Sequence, residues 1–214
     1  MLTLNNLMPD PLRERLSGKT SSVWNCTVQF EPGEWVNITA PSGTGKTTFI
    51  HILYGLRKDY SGTVLFNQTD LRSLDPDALA TVRQQKISII FQDLKLFPHL
   101  TVRENIELKR ILQEPYCDAE QVTAMAEQLG IAGILNQPAA ICSYGEQQRA
   151  CIIRALVQPF EWLIMDEPFS HLDIDNIKKA AALIAEECKR RRAGFIVTDL
   201  DENNLFPYTH KLHL

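Results

Sequence analysis

The sequence predicts an α/β fold: a mainly parallel sheet flanked by helices, with a helical lobe inserted midway. Three observations carry that expectation. Short β-branched and apolar runs alternate with stretches of helical spacing, the pattern of strand–helix–strand units. A glycine-rich turn, Pro41-Ser42-Gly43-Thr44-Gly45-Lys46, joins one such run to an amphipathic helix. From about residue 93 to 138 the strand signals stop and helical ones take over.

Taken in order, Thr27–Phe30 alternates as a strand, Pro32-Gly33 turns the chain, and Trp35–Thr39 runs as a second strand into the glycine-rich turn. Phe49, Ile50, Ile52, Leu53 and Leu56 then recur at helical spacing, with Gly55 near the helix end. Ser61-Gly62 opens a strand over 63–66, and 86–91 is a compact β-branched run suited to a buried strand. Helices are expected over 101–112 and 119–129. Ser143 with Glu146 three residues on fits a capping box, so a helix should begin at Ser143, run to Val157 and stop before Pro159. A short apolar strand follows over 162–165, then a helix over 177–190 and a last core strand over 195–198. The division this gives is one domain across 1–214, with a core of 1–92 and 159–214 and the lobe over about 93–158.

Composition narrows the function. With 214 residues, 44% of them hydrophobic, the chain can bury a core without staples. A formal net charge of −4 argues against nucleic acid as a partner, because phosphate backbones are bound through clustered positive charge. The one dense basic run, Lys189-Arg190-Arg191-Arg192, falls at a helix end, where solvated cations complement the dipole. Five scattered cysteines, an odd number without metal-ligand spacing, suit a reducing cytoplasm. No apolar stretch approaches the roughly 20 residues that span a bilayer, so no direct membrane insertion is expected. Asn5, Asn6 and Asp10 do not read as a secretory signal. Work at a membrane would need a partner to supply the spanning helices.

The glycine-rich turn carries chemistry. Between strand and helix, Gly43 and Gly45 let backbone N–H groups converge on one point, where the helix N-terminus adds partial positive charge. This is the phosphate loop of a P-loop NTPase core, with Ser42 and Thr44 completing the turn. Lys46 would neutralise β- and γ-phosphate oxygens, Thr47 would ligate Mg²⁺, and Thr48 is a further donor. Ala40 stands where the pattern begins with glycine, a small intrusion at negative φ. The apolar strand over 162–165 ends in Asp166-Glu167, at the carboxyl end where open α/β sheets bind ligands. Asp166 would hold Mg²⁺ through water, and Glu167 would polarise the attacking water as general base.

Together with Phe91-Gln92-Asp93, Ser143-Tyr144-Gly145-Glu146-Gln147-Gln148-Arg149 and Ser170-His171-Leu172-Asp173, these residues resemble the ABC nucleotide-binding domain across almost the whole chain. The resemblance implies an antiparallel β portion near the N-terminus beside the parallel core. It implies ATP and Mg²⁺ as ligands, with Gln92 sensing the metal and the attacking water. Ser143, Gly145 and Glu146 fall in the signature motif, which in the family contacts ATP held by the opposite subunit. A second ATP-binding subunit, identical or not, would therefore close head to tail over two ATP molecules. A transmembrane permease-type subunit would dock on the segment 93–99, opened by Asp93 and closed by His99. That places the chain in the cytoplasm, on the inner face of the cell membrane through its partner. The stretches 53–74 and 91–107 look most like the lipoprotein-release, macrolide-export and cell-division subgroup.

The chain also departs from the family pattern. Tyr144 replaces the first signature glycine, which should weaken closure unless its ring swings out to solvent. No histidine follows the last core strand: either Asp199 replaces it or it is deleted, and Asp199 would repel a γ-phosphate or turn away. His210 and His213 lie too far along to be assumed substitutes. The aromatic that stacks on adenine in many relatives is expected near Leu16 or Ser17, and neither is aromatic. Trp24 reads as packing. Two functions follow: an active Mg-dependent ATPase energising a membrane complex, or a slow or inactive ATP-binding regulatory subunit of one.

Overall fold

The computed structural model describes residues 1–214. The chain forms nine strands: β1 (Leu2–Pro9), β2 (Thr27–Phe30), β3 (Trp35–Thr39), β4 (Tyr60–Phe66), β5 (Thr69–Asp70), β6 (Ile87–Ile90), β7 (Trp162–Asp166), β8 (Gly194–Asp199) and β9 (His210–His213). The helices are α1 (Arg13–Leu16), α2 (Lys46–Leu53), α3 (Pro76–Gln85), α4 (Val102–Arg110), α5 (Ala119–Gln128), α6 (Tyr144–Leu156) and α7 (Ile174–Arg191). β6, β7, β8, β3 and β9 make a parallel sheet in that order. β2, β1, β4 and β5 make a separate antiparallel sheet.

Period-2 alternation splits the parallel strands between two cores. Val36, Ile38, Ile164 and Ile196 point to a cluster shared with α2 and the antiparallel sheet, where Leu2, Leu4, Phe30 and Phe49 sit. Trp35, Leu163, Met165, Phe195 and Val197 point the other way, into a cluster with α5, α6 and α7. Strands buried on both faces read as continuous apolar runs, which is why β3, β6 and β7 stand out in the sequence. The lobe helices α4 to α6 fall within 93–158, and their core runs on without a break into the sheet.

Several elements differ from expectation. β1, α1, α3, β5 and β9 are additional, and α7 begins at Ile174 rather than 177 because Asp173 caps it, accepting from the Asn176 amide at 2.8 Å. The basic run is not wholly solvated. The Arg191 side chain is enclosed, pairs with Glu187 at 2.6 Å and donates to the Gln158 carbonyl at 2.7 Å, tying the end of α7 to the end of α6. Trp24 is packed edge-on against Phe49 as core, and all five cysteines are free thiols. No helix is long and apolar enough to cross a membrane.

Candidate active site

β3 delivers the chain into the glycine-rich turn, and α2 carries it away. Gly43 (φ 78°) and Gly45 (φ 104°) both adopt the left-handed backbone that glycine tolerates without strain. Of the six helices with eight or more residues, α2 alone lacks a side-chain cap; Asp75, Thr101, Asp118, Ser143 and Asp173 cap the others. Its first-turn amides therefore have no intrahelical acceptor and no capping oxygen. An anion fits that cradle.

A cavity of about 300 Å³ opens over the loop, lined by Ser42, Gly43, Gly45, Lys46, Thr47 and Thr48, with Gln92 and Glu167 at its side. The Lys46 side chain is 6% exposed; its Nζ donates to the Ala40 carbonyl at 2.8 Å and lies 3.4 Å from Glu167 Oε1. Thr44 is not among the residues facing this cavity. Its hydroxyl turns back onto the Pro41 carbonyl at 2.7 Å.

Glu167 follows β7 with φ 46°, a left-handed conformation that a side-chain-bearing residue adopts at a cost. Its amide is held by the Thr198 carbonyl at 3.0 Å, and its second oxygen accepts from Gln92 Nε2 at 3.3 Å. Gln92 Oε1 in turn accepts from Thr47 Oγ1 at 3.5 Å. Asp166 is buried with Oδ1 accepting from Thr198 Oγ1 at 2.8 Å, and it lines an adjoining cavity with Thr47 and Gln92. Thr47, Gln92 and Asp166 are oxygen donors of the kind Mg²⁺ takes, in a number that leaves room for phosphate and water ligands. They fit the metal: bound there, it would neutralise charge on phosphate oxygens.

Ser143, Gly145 and Glu146 do not line the phosphate cavity of their own chain. They build the start of α6 as a capping box, with the Ser143 amide donating to Glu146 Oε2 at 2.8 Å. A methyl at Gly145 would stand 3.1 Å from the His171 carbonyl, so that close approach favours glycine. Tyr144 does not swing fully away. The residue is 45% exposed, its ring packs tilted at 44° against His171 with 4.1 Å between centroids, and its hydroxyl reaches the Gln92 carbonyl at 3.5 Å.

Asp199 turns inward. Its carboxylate accepts from Asn203 Nδ2 at 2.7 Å and from Asn37 Nδ2 at 3.3 Å, and burial pushes its pKa up to about 7. His210 and His213 are engaged elsewhere on β9, with Glu34 at 3.0 Å and Thr39 at 2.7 Å. Leu12 and Arg15 face the phosphate cavity, whereas Leu16 and Ser17 line an adjoining cavity of about 620 Å³ with Trp24, Pro41 and Thr44. Gln148 stands in the signature stretch, where the sequence assigned it no role of its own. Gln148 is buried on α6, donates to the Pro168 carbonyl at 2.5 Å and the Glu167 carbonyl at 3.4 Å, and accepts from the His171 amide at 3.2 Å. The signals were its place in that stretch and an amide side chain on the inward face of an amphipathic helix.

Strand, glycine-rich loop, lysine-headed helix and acidic strand end define a P-loop nucleotide-binding protein. The family described as ABC transporter matches residues 23–170, and the chain belongs to that family as an ABC ATP-binding domain. Among relatives, a cell division ATP-binding protein, FtsE of Bacillus subtilis, is 37% identical over 70% of this chain and 66% of its own length. The molybdate/tungstate import ATP-binding protein WtpC of Pyrococcus horikoshii is 36% identical over 81% of this chain and 48% of its own. A macrolide export ATP-binding/permease protein, MacB of Salmonella typhimurium, is 34% identical over 80% of this chain and 27% of its own. The chain thus spans about half or less of several curated relatives it matches. Among solved structures, the dimeric ATP-binding cassette MJ0796 bound to ADP and Pi superimposes with a TM-score of 0.79 and 28% identity, covering 94% of this chain and 88% of that one.

Proposed function

We propose that this chain hydrolyses ATP to drive closure of a cassette dimer, and so energises a membrane transport or transmembrane mechanical complex. The observation that carries this reading is Glu167 held between Lys46 at 3.4 Å and Gln92 at 3.3 Å, at the mouth of the phosphate loop. Lys46 and the loop amides bind the β- and γ-phosphates. Mg²⁺ on Thr47, Gln92 and Asp166 neutralises them further, and Glu167 polarises the attacking water. Ser143, Gly145 and Glu146 on α6 serve the ATP of a second subunit. That division of labour accords with their absence from their own chain's phosphate cavity and with the dimeric neighbour.

The permease-type partner docks on 93–99. Support comes from Phe97, 58% exposed, beside an apolar groove of about 330 Å³ lined by Tyr54, Phe91, Leu108 and Leu112. Arg154 of α6 donates to the Lys95 carbonyl at 2.7 Å, so a push on this segment reaches the signature helix directly. Such docking would hold the chain at the cytoplasmic face of the membrane.

Steady-state phosphate release with Mg-ATP tests the reading. Wild type should turn over, Lys46→Ala should lose ATP binding, and Glu167→Gln should bind ATP, form a stable dimer and turn over at least a hundredfold more slowly. Unchanged turnover in Glu167→Gln would remove Glu167 as the base. A second reading, a slow regulatory subunit, is favoured by Tyr144 and by the absence of a donor at Asp199. ATP binding without turnover, with the permease partner present, would select it.

A further inference from the structure

The phosphate loop has a cation over it that neither the loop motif nor the acidic strand end accounts for. Leu12 and Arg15 lie three residues apart across the turn into α1 and so face the same way. Both reach the loop. A Cβ on Gly45 would stand 2.7 Å from Leu12 Cδ1, and a Cβ on Gly43 would stand 2.5 Å from Arg15 Nη2. These glycines therefore serve close approach as well as backbone conformation. Arg15 lines the same cavity as Lys46, Thr47 and Glu167.

Its neighbour Arg13 is satisfied, donating to Asp10 at 2.7 Å and to Ser61 Oγ at 3.0 Å. Arg15 is exposed and makes no hydrogen bond or ion pair. Around it the loop offers amide donors and the Lys46 ammonium. The one anion at the cavity, Glu167, is already held by Lys46 and Gln92. Donors converge on a space without an acceptor. A guanidinium is a planar fork matched to phosphate oxygens, and unlike ammonium it engages two of them at once.

We propose that Arg15 is a second phosphate-binding cation of this site, folding over Gly43 to clamp the nucleotide's polyphosphate chain in concert with Lys46. The proposal rests on the reading of the loop as a nucleotide site. It adds to the affinity carried by the phosphates, with Leu12 and the Trp24 ring packed beside Gly45. A guanidinium can also stack on a base, so the test separates phosphate from base.

Wild type, Arg15→Met, Arg15→Lys and Lys46→Ala are compared by displacement of a fluorescent nucleotide, using ATP and inorganic tripolyphosphate as competitors. Arg15→Met should weaken both by a similar factor, about tenfold for one charge-assisted contact, with an unchanged melting temperature. Arg15→Lys should recover most of that loss, and Arg15→Met should show a shallower salt dependence. Loss confined to ATP would assign Arg15 to the base and overturn the proposal. So would unchanged affinity for both competitors, or a wild type that binds ATP but no tripolyphosphate. Undiminished binding by Lys46→Ala would instead remove the nucleotide site itself.

Discussion

Replacing Asp199 with asparagine removes one titration beside the site while keeping the side chain's shape. In the folded chain, burial raises this carboxyl from 3.8 to about 7, with the Asn203 hydrogen bond opposing and the Glu167 charge reinforcing. A carboxyl whose folded pKa lies above its unfolded value contributes stability that is fully present below about pH 4 and is lost as pH rises through about 7. Each pKa unit corresponds to about 1.4 kcal/mol, so the whole window amounts to at most about 4 kcal/mol. Only part of that window lies between pH 5 and 8, and the side chain is not fully enclosed, which brings the expected change there to about 1–2 kcal/mol. Asparagine stays neutral throughout and can still accept from Asn37 or Asn203. Urea unfolding of both proteins at pH 5, 6, 7 and 8, at matched ionic strength, should show the variant gaining on wild type as pH rises and levelling above about 7. Parallel stability curves would refute the reasoning, because they would mean that Asp199 titrates alike in the folded and unfolded chains.

Two further substitutions probe the seam between α6 and the acidic strand end. Tyr144→Gly removes the tilted ring contact with His171 and the contact with Gln92; in a Glu167→Gln background it should raise the ATP-dependent dimer fraction several-fold, matching an aromatic pair worth about 1 kcal/mol, as read by light scattering. An unchanged fraction would mean the ring does not resist closure. Gln148→Leu strands the Glu167 and Pro168 carbonyls and the His171 amide in a buried setting. It should cost about 2–4 kcal/mol in urea unfolding and lower kcat more than it raises KM, since Glu167 loses its positioning while the phosphate loop is intact. A loss seen only in KM would contradict that positioning role.

Much of this architecture was written in local pattern. The Ser143–Glu146 capping box is a short-range device and appears where expected, and strands buried on both faces announce themselves as apolar runs. β1 escaped because Asn5 and Asn6 interrupt its alternation: Asn6 has φ 48°, and the register with β4 shifts between Asn5 and Met8. β9 escaped because His210, Lys211 and His213 are polar, and its place is earned through backbone pairing with β3. α3 carried a readable signal in Asp75-Pro76, a cap followed by proline in the first turn. At the site, the loop motif marked Lys46 and Thr47, the acidic strand end marked Asp166 and Glu167, and the family resemblance marked Gln92, whose contacts with Thr47 and Glu167 only the fold makes. No motif position assigned a role to Arg15 or Gln148, and only the folded chain brings them to the loop and to the strand end.

The open end of α2 carries a cost that falls on the empty protein. A capping side chain is worth about 1 kcal/mol, and five of the six longer helices have one, whereas α2 has bare amides, two glycines and a lysine with its charge turned toward Glu167. On the function proposed above, a bound polyphosphate would act as the missing cap from outside the chain. Ligand affinity and fold stability are one quantity at this helix end. A sequence change that capped α2 internally would harden the empty protein and, by the same atoms, compete with a phosphate ligand.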